Sequence, residues 1–112
     1  MSELAARRCK PCEGGIPALA RETAERMLGE LSGDWRLSAD ARMLHRELKF
    51  ADFFRTMSFV NALAHIANIE DHHPDLEVGY SYCRVRYSTH AIGGLSDNDF
   101  ICAAKIDRLP LR

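Results

Sequence analysis

Cys83-Arg84-Val85-Arg86-Tyr87-Ser88-Thr89 decides the fold. Successive side chains of an extended chain point to opposite faces. Cys83, Val85, Tyr87 and Thr89 therefore share one face and Arg84, Arg86 and Ser88 the other, the period-two pattern of a strand with one wet side. Leu76 to Tyr80, just upstream, can pair beside it.

Working towards the N-terminus, Trp35 to Leu37 and Met43 to Phe50 read as extended, separated by the polar turn Ser38-Ala39-Asp40. Leu44, Leu48 and Phe50 fall on one alternating face, so a hairpin is expected. Between the two strand pairs, Asp52 can cap a long helix whose apolar stripe runs through Phe53, Met57, Val60 and Ala64, widened by Phe59, Leu63 and Ile66. Pro74 prevents that helix from continuing beyond His72-His73. A first helix is expected from about Pro17, with Ala24, Met27, Leu28 and Leu31 at i, i+3, i+4 and i+7, stopping near Ser32-Gly33-Asp34. On the C-terminal side Gly93-Gly94 breaks the strand. Ser96 followed by Asp99 then forms a capping box for a last helix through Phe100 and Ala104.

The order is α-β-β-α-β-β-α. It predicts an α+β fold, a small four-stranded antiparallel sheet with helices packed on one face. An uncovered apolar sheet face would be buried against a second copy, so a homo-oligomer, dimer or tetramer, is expected. Residues 1–15 mix charge, Pro11 and Gly14-Gly15 without periodicity and read as a tail or loosely docked arm; residues 16–112 read as a single domain.

The chain has 112 residues, 46% hydrophobic and 28% charged, an ordinary globular composition for one core. Fifteen basic side chains nearly balance sixteen acidic ones, which leaves no field to gather nucleic acid or an anionic membrane. Arg7-Arg8 is followed by no apolar stretch, and nothing approaches the roughly 20 apolar residues that span a bilayer. A cytoplasmic protein with four reduced cysteines is expected, without direct contact with nucleic acid or membrane.

Glu70-Asp71-His72-His73-Pro74 holds two imidazoles at the end of the long helix, where the chain turns. Histidine titrates near neutral pH, so paired rings beside carboxylates can donate and accept protons in one site. His90 ends the Tyr87-Ser88-Thr89-His90 strand, next to glycines that permit close approach of a ligand.

Taken with Tyr80 six residues beyond Pro74, His90 ten beyond the tyrosine and Asp99 nine further on, His72-His73-Pro74 resembles the pattern of pterin-4a-carbinolamine dehydratases. Cys9-Lys10-Pro11-Cys12-Glu13-Gly14-Gly15, Gly33-Asp34-Trp35 and Phe50-Ala51-Asp52-Phe53 also resemble bacterial members. The similarity covers most of the chain and is strongest from residue 50 to 108. One position departs: the family usually carries a charged, often acidic, residue four before the first histidine, and here Asn68 stands there.

The resemblance implies a hydro-lyase that dehydrates 4a-hydroxytetrahydropterin to quinonoid dihydropterin and so recycles the pterin of aromatic amino-acid hydroxylases. No metal or organic cofactor is implied. His72 and His90 would be acid and base, and His73 would orient the pterin. Asp71, Ser88, Thr89 and Ala91 would line the site with the three histidines, and Asp99 would support His90. Asn68, one helical turn before His72, can offer that ring a hydrogen bond but no charge.

Blander roles compete. Asp99 fills the capping box without any catalytic duty, and Tyr80 serves as a strand residue with a wet hydroxyl. His45 and His65 fall outside the motif. Cys9 and Cys12 form one Cys-x-x-Cys pair where zinc usually wants four ligands. Two further functions stand beside dehydration. One is a protein-binding dimerisation cofactor, as in animal relatives of the family. The other is a metalloprotein using His72, His73 and His90 as ligands.

Overall fold

The computed structural model describes residues 3–11 and 14–110. Three helices, α1 (Arg21–Leu28), α2 (Phe53–Glu70) and α3 (Asp97–Asp107), combine with four strands: β1 (Arg36–Leu37), β2 (Leu44–Lys49), β3 (Asp75–Val78) and β4 (Tyr82–Tyr87). The sheet is antiparallel throughout, in the order β1-β2-β4-β3. The α+β fold and the element order are those expected from the sequence.

The register explains the core. Leu44 lies opposite Tyr87, Leu48 opposite Cys83 and Leu76 opposite Val85, so the apolar sides of three strands face the same way. Leu44, Leu48, Cys83, Val85 and Tyr87 are buried there with Trp35, Phe59 and Leu63 of α2, and Phe100 and Ile101 of α3. Arg46 is the exception on this face. Its alternation carries it inward, 8% exposed, where its guanidinium donates to the Asp107 carboxylate at 2.7 Å. The Trp35 indole N–H donates to the same carboxylate at 2.8 Å.

The opposite face corrects the argument for association. Expected to be apolar, it is charged: Arg84 bridges Glu47 and Glu77, and Arg86 also reaches Glu77. Exposed apolar surface lies instead at the start of α2 and the edge strand β3, on Phe53, Phe54, Val78 and Tyr80.

Several boundaries differ from expectation for identifiable reasons. Helix α1 begins four residues late because the Leu19 N–H is already engaged by the Leu95 carbonyl at 2.9 Å, holding Pro17–Ala20 extended. It ends at Leu28 and gives way to tighter turns through Leu31. Helix α2 is capped by Asp52 as expected, its carboxylate accepting the Arg55 N–H at 2.9 Å. Its end is set by Asp71 and not by Pro74. Asp71 adopts a left-handed conformation (φ 53°), and the His72 N–H returns to the Ala67 carbonyl. Aspartate is among the few residues that tolerate this region. Both histidines of the pair thus lie beyond the helix.

The described part of the N-terminal segment, read as a tail or loosely docked arm, packs on α3. Leu4, in a one-turn 3-10 helix (Leu4–Ala6), is 3% exposed within the core, and the Lys105 ammonium donates to the Ala5 carbonyl at 2.8 Å. No helix of the described residues is long and apolar enough to cross a membrane.

Candidate active site

Beyond the left-handed turn at Asp71, the His72 ring is pushed back under α3. Its Nε2 lies 2.6 Å from Asp99 Oδ1, with the side chain of His72 12% exposed and that of Asp99 fully buried. The second carboxylate oxygen accepts the Thr89 hydroxyl at 2.8 Å and the Ser96 N–H at 2.9 Å. Thr89 spends its proton on Asp99, so the Ser96 hydroxyl, 2.8 Å away, donates to Thr89. An ionised carboxylate only accepts, so the tautomer that fits this contact carries its proton on Nε2 and leaves Nδ1 without one. The Tyr87 ring fixes the imidazole plane from one side, stacked at 5.9 Å with a 6° tilt.

Ser96 and Asp99 also form the expected capping box of α3, so capping and site support are the same contacts. The partner is not the expected one. Asp99 supports His72, whereas the His90 ring has no hydrogen-bond partner among the described residues and only its carbonyl is engaged, by the Gly93 N–H at 3.2 Å. Asn68 likewise contacts His73, its Oδ1 accepting from Nε2 at 3.2 Å, and not His72. The left-handed residue between Glu70 and His72 breaks the helical spacing that would have placed Asn68 beside the first ring.

These groups open on a cleft of about 390 Å³. Asp71, His72 and His73 enter it from the turn after α2. Ser88, Thr89, His90 and Ala91 enter from the end of β4 and the 3-10 turn His90–Ile92. That second edge is closed by a bridge between Thr89 and Gly94, with Gly93 at φ 65° supplying the bend. A Cβ on Gly94 would lie 2.7 Å from that of Ala18, so the chain there admits no side chain. Pro74 leads into β3 and does not line the cleft. Tyr80 is remote, 68% exposed and stacked on Phe53 at the opposite end of α2.

Sequence reasoning missed one wall. Lys10 and Pro11 of the arm line the cleft with Asn98 of α3. Asn98 accepts the Lys10 N–H at 3.0 Å and donates to its carbonyl at 2.6 Å. Glu70 holds the arm from behind, accepting the Cys9 N–H at 2.8 Å and facing Arg8 at 3.3 Å and Lys105 at 3.6 Å. Burial opposes its charge, but the Cys9 N–H, Lys105 and Arg8 together hold the Glu70 carboxyl below the usual glutamate range.

Thiol chemistry has no support here. Burial pushes Cys83 up to about 11, and Cys102 is raised by its contact with Cys9 Sγ at 3.5 Å and by burial. Cys12 lies outside the described residues. Among those residues no group of three or more histidine, cysteine or acidic side chains is arranged to hold a metal. His72, His73 and His90 line one cleft but are not grouped in that way.

Fold and site together define a small α+β protein with a carboxylate-oriented imidazole in a histidine-lined cleft. The chain belongs to the pterin 4 alpha carbinolamine dehydratase family, whose model matches residues 17–109. A protein of Nitrosomonas eutropha, provisionally named pterin-4-alpha-carbinolamine dehydratase, is 58% identical over 96% of this chain and 93% of its own. One of Legionella pneumophila (strain Corby), provisionally given the same name, is 54% identical over 96% of each chain. Among solved structures, the transcriptional coactivator/pterin dehydratase of Brucella melitensis superimposes with a TM-score of 0.75. It is 27% identical and covers 80% of this chain and 94% of that one.

Proposed function

We propose that the protein dehydrates 4a-hydroxytetrahydropterin to quinonoid dihydropterin. In this step the C4a–O and N5–H bonds break, a C4a=N5 double bond forms, and water leaves. One group must protonate the departing hydroxyl and another must take the N5 proton. The observation that carries the reading is the His72–Asp99 contact at the wall of a cleft that His90 also lines. The buried carboxylate stabilises the imidazolium formed when His72 accepts a proton at Nδ1, which suits His72 to the base role. His90 is exposed, and its ring, without a hydrogen-bond partner among the described residues, is free to supply the acid. His73 orients the pterin, with Asp71 and the segment from Ser88 to Ala91 lining the ring.

This reading places the protein in the cytoplasm, in tetrahydrobiopterin recycling for an aromatic amino-acid hydroxylase, without cofactor. It associates as a dimer or tetramer through the apolar surface at Phe53, Phe54, Val78 and Tyr80. The dimerisation-cofactor reading is supported by the coactivator name of the Brucella melitensis structure alone; the site favours dehydration. The test is dehydration of freshly generated 4a-hydroxytetrahydropterin, followed by stopped-flow absorbance. Acceleration above the uncatalysed rate, undiminished by a chelator, is expected. No acceleration refutes the reading, and loss with chelator that zinc restores refutes the metal-independent mechanism.

A further inference from the structure

Glu70 and Asn98 flank the His72–Asp99 contact, Glu70 as the last residue of α2 and Asn98 next to Asp99 in the first turn of α3. Both commit their side chains to consecutive residues of the arm. Glu70 accepts the Cys9 N–H at 2.8 Å, while Asn98 takes both backbone groups of Lys10, accepting its N–H at 3.0 Å and donating to its carbonyl at 2.6 Å. Neighbouring Cα atoms are about 3.8 Å apart, so the two anchors are tied across a single residue step of backbone. Docking of the arm has anchors of its own: Leu4 is buried in the core, and Lys105 holds the Ala5 carbonyl. The tie at Cys9 and Lys10 is additional to these, and it falls beside the reacting histidine.

We propose that Asn98 is a positioning residue of the dehydratase site: by stitching the Cys9-Lys10 backbone to α3 it holds the front of α3 against the end of α2, and so fixes the reach from Asp99 to His72. This rests on the dehydratase reading and adds to it a residue that acts through His72. The need for a stitch follows from where the two groups stand. His72 hangs on the left-handed turn after α2 and Asp99 on the capping turn of α3, so their 2.6 Å contact joins two helix ends, the parts of helices that fray. Misplacing a catalytic group by about 1 Å can cost about 100-fold in rate. Lys105 also joins α3 to Glu70, but it lies about 9 Å along the helix from Asp99 at about 1.5 Å per residue, which leaves the first turn to Asn98. Lys10 is exposed, so water can satisfy its backbone groups when the Asn98 amide is removed, and the chain keeps its fold.

Asn98 also lines the cleft, so the experiment separates aiming His72 from walling the substrate. It uses the full chain carrying Asn98→Leu, which keeps a similar bulk and loses both hydrogen bonds, and Asn98→Ala, which opens the wall as well. Both should lower kcat for 4a-hydroxytetrahydropterin by about three- to tenfold, and Asn98→Leu should leave KM within about twofold of the unaltered protein. Both should also speed exchange with water of the proton on His72 Nε2, read by NMR on protein labelled at its histidine nitrogens. A normal kcat in Asn98→Leu, or a change in KM alone, makes Asn98 a wall and overturns the proposal; unchanged exchange overturns it too. Should one variant fail to fold, the other decides by the same two readouts. If the unaltered protein shows no turnover, the dehydratase reading fails, and exchange at His72 alone decides whether Asn98 aims the ring.

Discussion

His72 and Asp99 are separated by 27 positions in the chain, yet His72 Nε2 lies 2.6 Å from a carboxylate that is fully buried. A carboxylate so placed fixes which ring nitrogen holds the proton and lowers the energy of the imidazolium. Removing the ring should therefore cost far more than a surface histidine would.

His72→Ala and His90→Ala should each slow turnover on the order of 100-fold or more, the usual scale for losing a positioned acid or base. Single-turnover dehydration of each folded variant measures it. Near-normal rates in both would remove these histidines from the chemistry.

Asn68→Glu should set a carboxylate against the His73 ring and favour its protonated form relative to the unaltered protein, with no such effect on His72. The reason is the Asn68–His73 contact at 3.2 Å. Histidine titration by NMR separates the rings; a shift confined to His72 would contradict the geometry.

Glu70→Gln should lower Tm at neutral pH, with the gap from the unaltered protein closing as pH falls. A carboxyl whose folded pKa is depressed stabilises above its unfolded value, near 4.5, and loses that contribution as pH drops through the lower folded value. Thermal melts from about pH 7 down to pH 3 test the sign. A gap that widens in acid would refute it.

Light scattering at micromolar concentration should give a dimer or tetramer. Phe54→Glu, which places a charge on a side chain 78% exposed, should shift the mass towards monomer without unfolding the chain. A monomeric mass before substitution would remove the association.

The sequence carried the scaffold because its signals are local. Alternation at Cys83, Val85 and Tyr87 needs no partner to be read, and neither does the Ser96–Asp99 spacing. The pairings inside the site were misassigned because one backbone torsion decides them. Nothing in the residues around Asp71 announces a left-handed turn, yet that turn redirects Asn68 to His73. The resemblance paired Asp99 with His90, but the opening of α3 points the carboxylate at the turn after α2. The arm was missed for another reason. It is anchored by Leu4, by backbone groups of Ala5, Cys9 and Lys10, and by the distant Glu70 and Asn98, none of which produces a period.

The Ser96–Asp99 cap gives the protein an unusual economy of failure. One carboxylate both starts α3 and aims the His72 ring, so fraying of that first turn and loss of the aimed imidazole are a single event. A chain opened at that turn therefore loses the contact that aims His72. Under the proposed reaction, activity should come and go with the helix start, so that turnover would gauge whether the front of α3 is wound.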